Sequence, residues 1–433
     1  MQGNKKGISP LLLIGVFTVI TILLLFTLVI PSFLPALASG LSGRAAALAS
    51  ILVSLLVILA VPVNLSRLSN GRRVHASPYL IPLLLFMISG LLINLPKPDA
   101  DYNRWGFIVI STPMLYITVT NLLRSQALAE LSLAGVVLAG TMVTVLMTFS
   151  DAAGNFPSFQ GIVRHRGAAY FLGQTLGPVA LANIAGVTFL PALVLFLYSS
   201  TGWIKPWMLP SIAFTLVAVA LSGGRMALLA LIAAVLIMIR VRKPSALRSR
   251  WRTLVFMAGI LTAVAAVYFL SSEYNQVILS RLLKIPSSLI NYREDRAISA
   301  RIELWQLVWE MIRNHPFGLG FDAFFNEYGL STHNEYFNLV LGSGVQGLLA
   351  VITFGLLCFR QCYRAAVRKR RYYAVPLTAV VLLVFTALIS LTGAWSYSNT
   401  IAALIIWGGL SLGVSGSVSP EPAETAGAIG DHT

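Results

Sequence analysis

Four polar residues beside a long apolar run are the strongest candidates for chemistry in this sequence. Thr332, His333, Asn334 and Glu335 stand directly before the hydrophobic stretch 336–358. The spacing of Thr332 and Glu335 fits a capping box, which predicts Thr332 as the N-cap and His333 as the first residue of a helix. The positive end of a helix dipole disfavours imidazolium, so His333 is expected to be neutral and able to act as a general base. A single His is more often structural, and both interpretations stay open.

Arg225 is a second candidate, because it stands between two apolar runs in LSGGRMALLALIAAVLIMI. An arginine near membrane depth costs a few kcal/mol, and more if it cannot reach water. Its planar guanidinium donates paired hydrogen bonds to phosphate, which the point charge of lysine cannot do. Arg225 therefore indicates a phosphate or pyrophosphate ligand, against the alternative of a side chain that merely extends to the interface.

The composition of the chain determines where these residues must lie. Its 433 residues are 57% hydrophobic and 11% charged, and the mean hydropathy is +0.81, which excludes an ordinary soluble protein. A helix needs about 20 apolar residues to cross a bilayer. The sequence predicts an all-α, polytopic integral membrane protein of about 12 transmembrane helices, at 8–30, 45–64, 79–95, 107–123, 131–150, 178–199, 208–222, 226–241, 253–270, 336–358, 374–391 and 401–417. The first run is too long for a signal peptide.

The basic residues give the orientation of these helices. With the N-terminus inside, 19 of the 31 Lys and Arg fall on the cytoplasmic side, and the two densest runs lie there together. The net charge of +16 therefore reflects topology, and no nucleic-acid partner is expected. The remaining 12 face outward, Arg166, Arg225 and Arg301 among them, on the side where His333 is predicted.

The predicted domain organisation is simple. Residues 1–417 form one transmembrane domain with a long outer loop at 271–335, between spans 9 and 10, and residues 418–433 form a disordered cytoplasmic tail. Within the loop, AISARIELWQLVWEMIRNHP predicts an amphipathic helix with Trp305 and Trp309 on its apolar side. This helix could lie in the membrane interface or pack against the helix bundle. The outer acidic residues are scattered, so no metal site is expected.

Several motifs resemble those of the O-antigen ligase and polymerase family of bacterial membrane glycosyltransferases. ARIELWQLVWEMIRNHPFGLGFDAFF followed by STHNEYFNLVLGSGVQGLLAV is similar to the family's signature region, which has an Arg, a Trp, P-x-G-x-G, HN-x-Y/F and G-x-x-G. LSGGRMALLAL is similar to its Ser-x-x-Arg turn. The stretch RHRGAAYFLG contains Arg166, and Gly177 follows that arginine at an R-x10-G spacing that resembles one found in polymerases. The fifth outer loop has no matching R-x10-G spacing.

The resemblance implies a function and roles for individual residues. It implies transfer of a completed O-antigen from undecaprenyl pyrophosphate to a sugar hydroxyl of lipid A-core, at the periplasmic face of the bacterial inner membrane. By matching position, His333 is implied as the base and Arg225 and Arg301 as ligands of the donor pyrophosphate, with Arg166 a third. The implied reaction inverts the anomeric centre and uses no metal or cofactor. Membrane lipids and the two lipid-linked substrates are the expected partners.

Three other functions remain open at this stage. A repeat-unit polymerase and a protein O-oligosaccharyltransferase would use the same donor chemistry. A lipid-linked glycan flippase would also contain twelve helices and arginines, but its charged groups should line a central cavity. In this sequence the unusual polar residues gather at one face, which favours a transferase.

Overall fold

The computed structural model describes residues 79–96, 109, 116, 120, 126–149, 169–171, 174–176, 178–222, 224–241, 296–368, 373–393 and 400–418. Within these ranges the secondary structure consists of α-helices and one short β-hairpin. The helices are α1 Leu80–Asn94, α2 Gln126–Phe149, α3 Pro178–Tyr198, α4 Ile204–Ser222, α5 Arg225–Val241, α6 Arg296–Asn314, α7 Ala323–Tyr328, α8 Glu335–Arg368, α9 Ala374–Ile389 and α10 Thr400–Val418; strands β1 Ala169–Phe171 and β2 Gln174–Leu176 pair antiparallel.

The helical prediction is confirmed for the described part of the chain. Eight of the twelve predicted spans coincide with α1 to α5 and α8 to α10. Among the residues that the structure describes, three helices are long and apolar enough to cross a membrane, at Leu128–Val145, Leu181–Tyr198 and Glu335–Arg368. The predicted spans 8–30, 45–64 and 253–270, most of 107–123, and the tail beyond residue 418 lie outside the described residues, so the count of twelve spans stays a prediction.

Helix α3 forms the centre of the bundle. Its residues from Leu181 to Tyr198 are almost all buried, and it packs against α2, α4, α5, α9 and α10. The largest apolar cluster draws its side chains from these helices and from the second half of α8. Because α3 has apolar residues on every side, it is covered by protein all around, as expected of a central helix.

Helix α8 is interrupted by a kink at Gly344, where φ is 74°. That left-handed conformation is available to glycine without steric cost. The kink removes the regular bond between Val345 N–H and Leu341 C=O, and the preceding loop replaces it. Val345 N–H donates to Pro316 C=O at 2.9 Å, while Leu341 C=O accepts from Leu319 N–H and Gly320 N–H at 2.7 and 2.8 Å. The PFGLG segment is therefore fastened to the broken helix by backbone bonds.

Asn94, the last residue of α1, secures the same junction. Its Nδ2 donates to Gly342 C=O at 2.8 Å, and its Oδ1 accepts from Phe321 N–H at 3.1 Å. Asn94 is buried, so each bond satisfies a polar group that would otherwise be costly to bury. A side chain at Gly342 would collide with the ring of Phe321. One amide thus joins α1, α8 and the outer loop.

The predicted amphipathic helix is confirmed as α6, and its apolar side is divided between two environments. Val308 and Ile312 are buried against α7 and α8 in a small cluster with Phe324, Val340 and Leu341. The part of the apolar side that contains Val308 and Ile312 therefore packs against the helix bundle. Trp309, by contrast, is 58% exposed.

Candidate functional site

His333 lies in the loop before α8, in a conformation that the capping-box prediction did not anticipate. Its φ is 49°, the one positive φ outside glycine among the described residues. Helix α8 begins at Glu335, so the prediction that His333 is the first helical residue is wrong. A left-handed backbone is uncommon for residues other than glycine, although His adopts it more readily than most. Its persistence requires neighbours that hold the loop.

Asn334, rather than Thr332, caps the helix. Asn334 Oδ1 accepts from Phe337 N–H at 3.2 Å, the bond expected from an N-cap residue to the third helical position. Glu335 occupies the first helical position, is buried, and donates its N–H to Ser390 C=O at 2.9 Å. Thr332 Oγ1 instead donates to Asn338 Oδ1 at 2.6 Å. The predicted capping box is therefore wrong, because Asn334 is an equally good cap and α9 binds Glu335.

Trp305 of α6 fixes the other side of the His333 loop. Its Nε1 donates to Thr332 C=O at 3.1 Å, and its ring meets Phe337 edge-on, with the ring centroids 6.0 Å apart. The loop is thus held between α6 and the first turn of α8. Residues four apart share a helix face, so this contact turns Arg301 toward the same loop.

His333 and Arg301 interact electrostatically. Partial burial lowers the pKa of His333 below its usual value, and the positive charge of Arg301 lowers the pKa further. Both causes favour the neutral imidazole. The His333 side chain nonetheless remains exposed to solvent. A neutral base at the rim of the site could accept a proton from a hydroxyl that approaches from solvent.

The other predicted arginines are placed less fully. The predicted turn is confirmed, because α4 ends at Ser222 and α5 begins at Arg225. The side chain of Arg225 lies outside the described part, as does Arg166 together with Gly177. The structure therefore brings His333 and Arg301 together and leaves Arg225 and Arg166 unlocated relative to them. Among the described residues, no group of three His, Cys, Asp or Glu could hold a metal ion.

Three asparagines support the site and were given no role by the sequence. Asn334 caps α8, Asn338 binds Thr332, and Asn94 binds the loop that precedes α7. Asn334 and Asn338 are one helical turn apart, and each is buried within or beside an apolar run. A buried amide in a hydrophobic segment requires partners, and that requirement was the available signal.

Part of this chain matches a known protein family. Residues 210–352, about a third of the chain, match the family model described as O-antigen ligase. The match supports membership of the O-antigen ligase/polymerase family. The matched segment contains Arg225, Arg301 and His333, whereas Arg166 precedes it. A comparison with curated proteins found no match. The matched family is one of glycosyltransferase-like enzymes, and the apolar helices together with the match indicate a membrane protein.

Proposed function

We propose that this protein transfers a completed O-antigen glycan from undecaprenyl pyrophosphate to a sugar hydroxyl of lipid A-core, at the periplasmic face of the bacterial inner membrane. The observation that carries the proposal is the position of His333, exposed and left-handed in the loop before a membrane-length helix, where the charge of Arg301 also acts on it. Burial and the charge of Arg301 lower the pKa of His333, which favours the neutral imidazole, and the guanidinium of Arg301 suits a phosphate group. The family match over 210–352 supports the same reaction class.

In the proposed reaction His333 takes the proton of the acceptor hydroxyl. The hydroxyl oxygen attacks the anomeric carbon of the donor, the bond from that carbon to the pyrophosphate oxygen breaks, and the configuration inverts. Undecaprenyl pyrophosphate leaves with the bonding electrons. Arg301, with Arg225 and Arg166, binds the pyrophosphate and stabilises the charge that develops on it. Since pyrophosphate is a good leaving group and arginine supplies the positive charge, the mechanism requires no metal or cofactor.

The backbone at His333 supports a catalytic role for this residue. Non-glycine residues in the left-handed region persist where their surroundings over-determine them, and they concentrate at functional sites. Here the Trp305 bond to Thr332 and the Asn334 cap hold the two residues that flank His333. Such anchoring fixes the backbone from which the imidazole projects before substrate arrives, which reduces the cost of orienting it during reaction.

The lipid profile of a deletion strain tests the proposed function. A strain that lacks this protein should contain unmodified lipid A-core and accumulate polymeric O-antigen on undecaprenyl pyrophosphate, and a plasmid copy should restore the linked product. Lipid A-core carrying one repeat would instead indicate a repeat-unit polymerase. An unchanged lipopolysaccharide together with loss of glycan from proteins would indicate a protein O-oligosaccharyltransferase. Either of these two profiles would contradict the ligase assignment.

A further inference from the structure

The outward side of α6 carries a groove that the proposed catalytic step does not use. It is lined by apolar and polar side chains together, and we define the α6 groove by Ile302, Trp305, Gln306, Trp309, Glu310 and Arg313, with Glu303 and Leu307 completing the lining. Trp309, Glu310 and Arg313 are exposed, whereas Trp305 is half-buried.

The chemistry of this lining matches a carbohydrate. The flat faces of tryptophan suit the apolar C–H faces of pyranose rings, and the indole gives large contact area with few rotatable bonds. Carboxylate, amide and guanidinium groups beside the rings can bond the sugar hydroxyls in pairs. Glu310 and Gln306 supply acceptors, and Arg313 supplies donors. A groove with apolar faces and polar edges is typical of a site that binds sugars.

A membrane surface would fit this groove less well. Helices that lie on membranes present a continuous apolar face and a polar face rich in Lys and Arg. In α6 the apolar residues Val308 and Ile312 face inward and are buried. The exposed side that contains Trp309 carries both the carboxylate of Glu310 and the guanidinium of Arg313, rather than the run of Lys and Arg that anionic lipid headgroups attract. Trp309 is therefore an exposed aromatic residue at the border between the apolar side of α6 and its charged residues.

The α6 groove is continuous with the His333 site. Arg301, Trp305 and Trp309 are spaced by four residues and follow one side of α6. Arg301 acts on His333, and Trp305 binds the loop that carries it. At a rise of 1.5 Å per residue, Trp309 lies about 12 Å along the axis from Arg301, a distance that spans a few sugar units. A ligand whose pyrophosphate lies at Arg301 would extend its glycan over Trp305 and Trp309.

We propose that the α6 groove binds the glycan of the lipid-linked donor, with Trp309 as the stacking platform for sugars beyond the reacting one. This proposal rests on the proposed function, since Arg301 places the donor pyrophosphate at the start of the groove. Trp309 contributes to donor affinity without contacting the reacting atoms. Polar residues of the groove select among glycans by their hydroxyl pattern.

The test uses purified full-length protein in nanodiscs of phosphatidylethanolamine and phosphatidylglycerol. Trp309→Ala should raise KM for lipid-linked O-antigen on the order of tenfold, the size of one lost stacking contact, with kcat retained. Trp203→Ala is the matched control, because Trp203 is similarly exposed at 62% but lies before α4. That control should leave both constants unchanged. An unaltered KM in Trp309→Ala would overturn the proposal.

A binding measurement separates this proposal from the proposed catalysis. In a His333→Gln background, O-antigen polysaccharide released from its lipid by mild acid should change the tryptophan fluorescence, and adding Trp309→Ala should abolish that change. The result does not depend on turnover, so it stands even if His333 proves dispensable. Quenching of Trp309 by brominated phospholipids, with no response to the polysaccharide, would overturn the proposal in favour of a membrane contact.

Discussion

Two polar clusters lie beside the ends of apolar helices in this protein, and they differ in what they leave accessible. The first surrounds Glu130 of α2, whose side chain is completely buried. Its carboxylate accepts hydrogen bonds from the hydroxyls of Ser199, Ser200 and Thr201 at 2.8 to 3.0 Å, and from Ser200 N–H at 3.2 Å. These residues follow the end of α3, so the Glu130 cluster joins α2 to the connection between α3 and α4.

The second cluster surrounds His333. Thr332, Asn334 and Asn338 are buried and bonded to one another or to the backbone, as the groups around Glu130 are. His333 itself remains exposed in a left-handed conformation beside Arg301. A closed cluster satisfies the hydrogen bonds of its buried polar groups and stabilises the fold. A cluster whose buried members hold one titratable group at the surface can perform chemistry.

The largest expected effect separates the two clusters by activity. His333→Gln keeps a hydrogen-bonding group but cannot take a proton, so turnover should fall by a factor of about 10²–10⁴, or roughly 3–5 kcal/mol of barrier. The assay is purified protein with lipid-linked O-antigen and lipid A-core, at saturating donor. Thermal unfolding of the variant should match the wild type. A His333→Gln protein with most of the wild-type turnover would make this cluster structural, like the one at Glu130.

The next effect should appear in stability instead of activity. Glu130→Ala leaves buried hydroxyls without their acceptor, which should lower the free energy of unfolding by about 1–3 kcal/mol. Denaturation in mixed micelles would measure the loss, and turnover per folded molecule should stay near the wild-type value. Ser132→Ala is a suitable control, because Ser132 is buried in the same helix and is one turn or less from Glu130. Loss of turnover in a fully stable Glu130→Ala protein would contradict the distinction between the clusters.

Several helices of this protein could be predicted from the sequence alone. The spans at 79–95 and 374–391 agree closely with Leu80–Asn94 and Ala374–Ile389, because hydropathy reports the length of an apolar run directly. The α6 helix was predictable because its apolar residues recur at helical spacing. These features depend on residues near one another in the chain.

The details that failed depend on residues far apart. The capping box requires only a Thr and a Glu at the right spacing, but the start of α8 is determined also by the bond from Glu335 to Ser390 of the α9 end. The support of the loop by Asn94 joins positions 227 residues apart. No local pattern contains such contacts. The family resemblance implied roles for both Arg301 and His333. The effect of the Arg301 charge on the pKa of His333 depends on the folded loop and could not be read from the sequence.

The smallest expected effect concerns the charge that acts on His333. Arg301 lowers the pKa of His333, so Arg301→Gln should raise that pKa toward its ordinary value of about 6.5. A base must be neutral, so activity is lost as pH falls through this pKa, and the acid limb of kcat/KM should move to higher pH in the variant. Arg301→Lys keeps the charge and should leave the limb in place, while turnover falls because lysine lacks the planar fork. The measurement is the residual transfer rate of each variant from pH 5 to 8, with Glu130→Ala expected to follow the wild-type profile. An acid limb that stays in place in Arg301→Gln, or that moves equally in Glu130→Ala, would show that the guanidinium does not lower the pKa of His333. The His333 cluster would then have no electrostatic feature that the Glu130 cluster lacks.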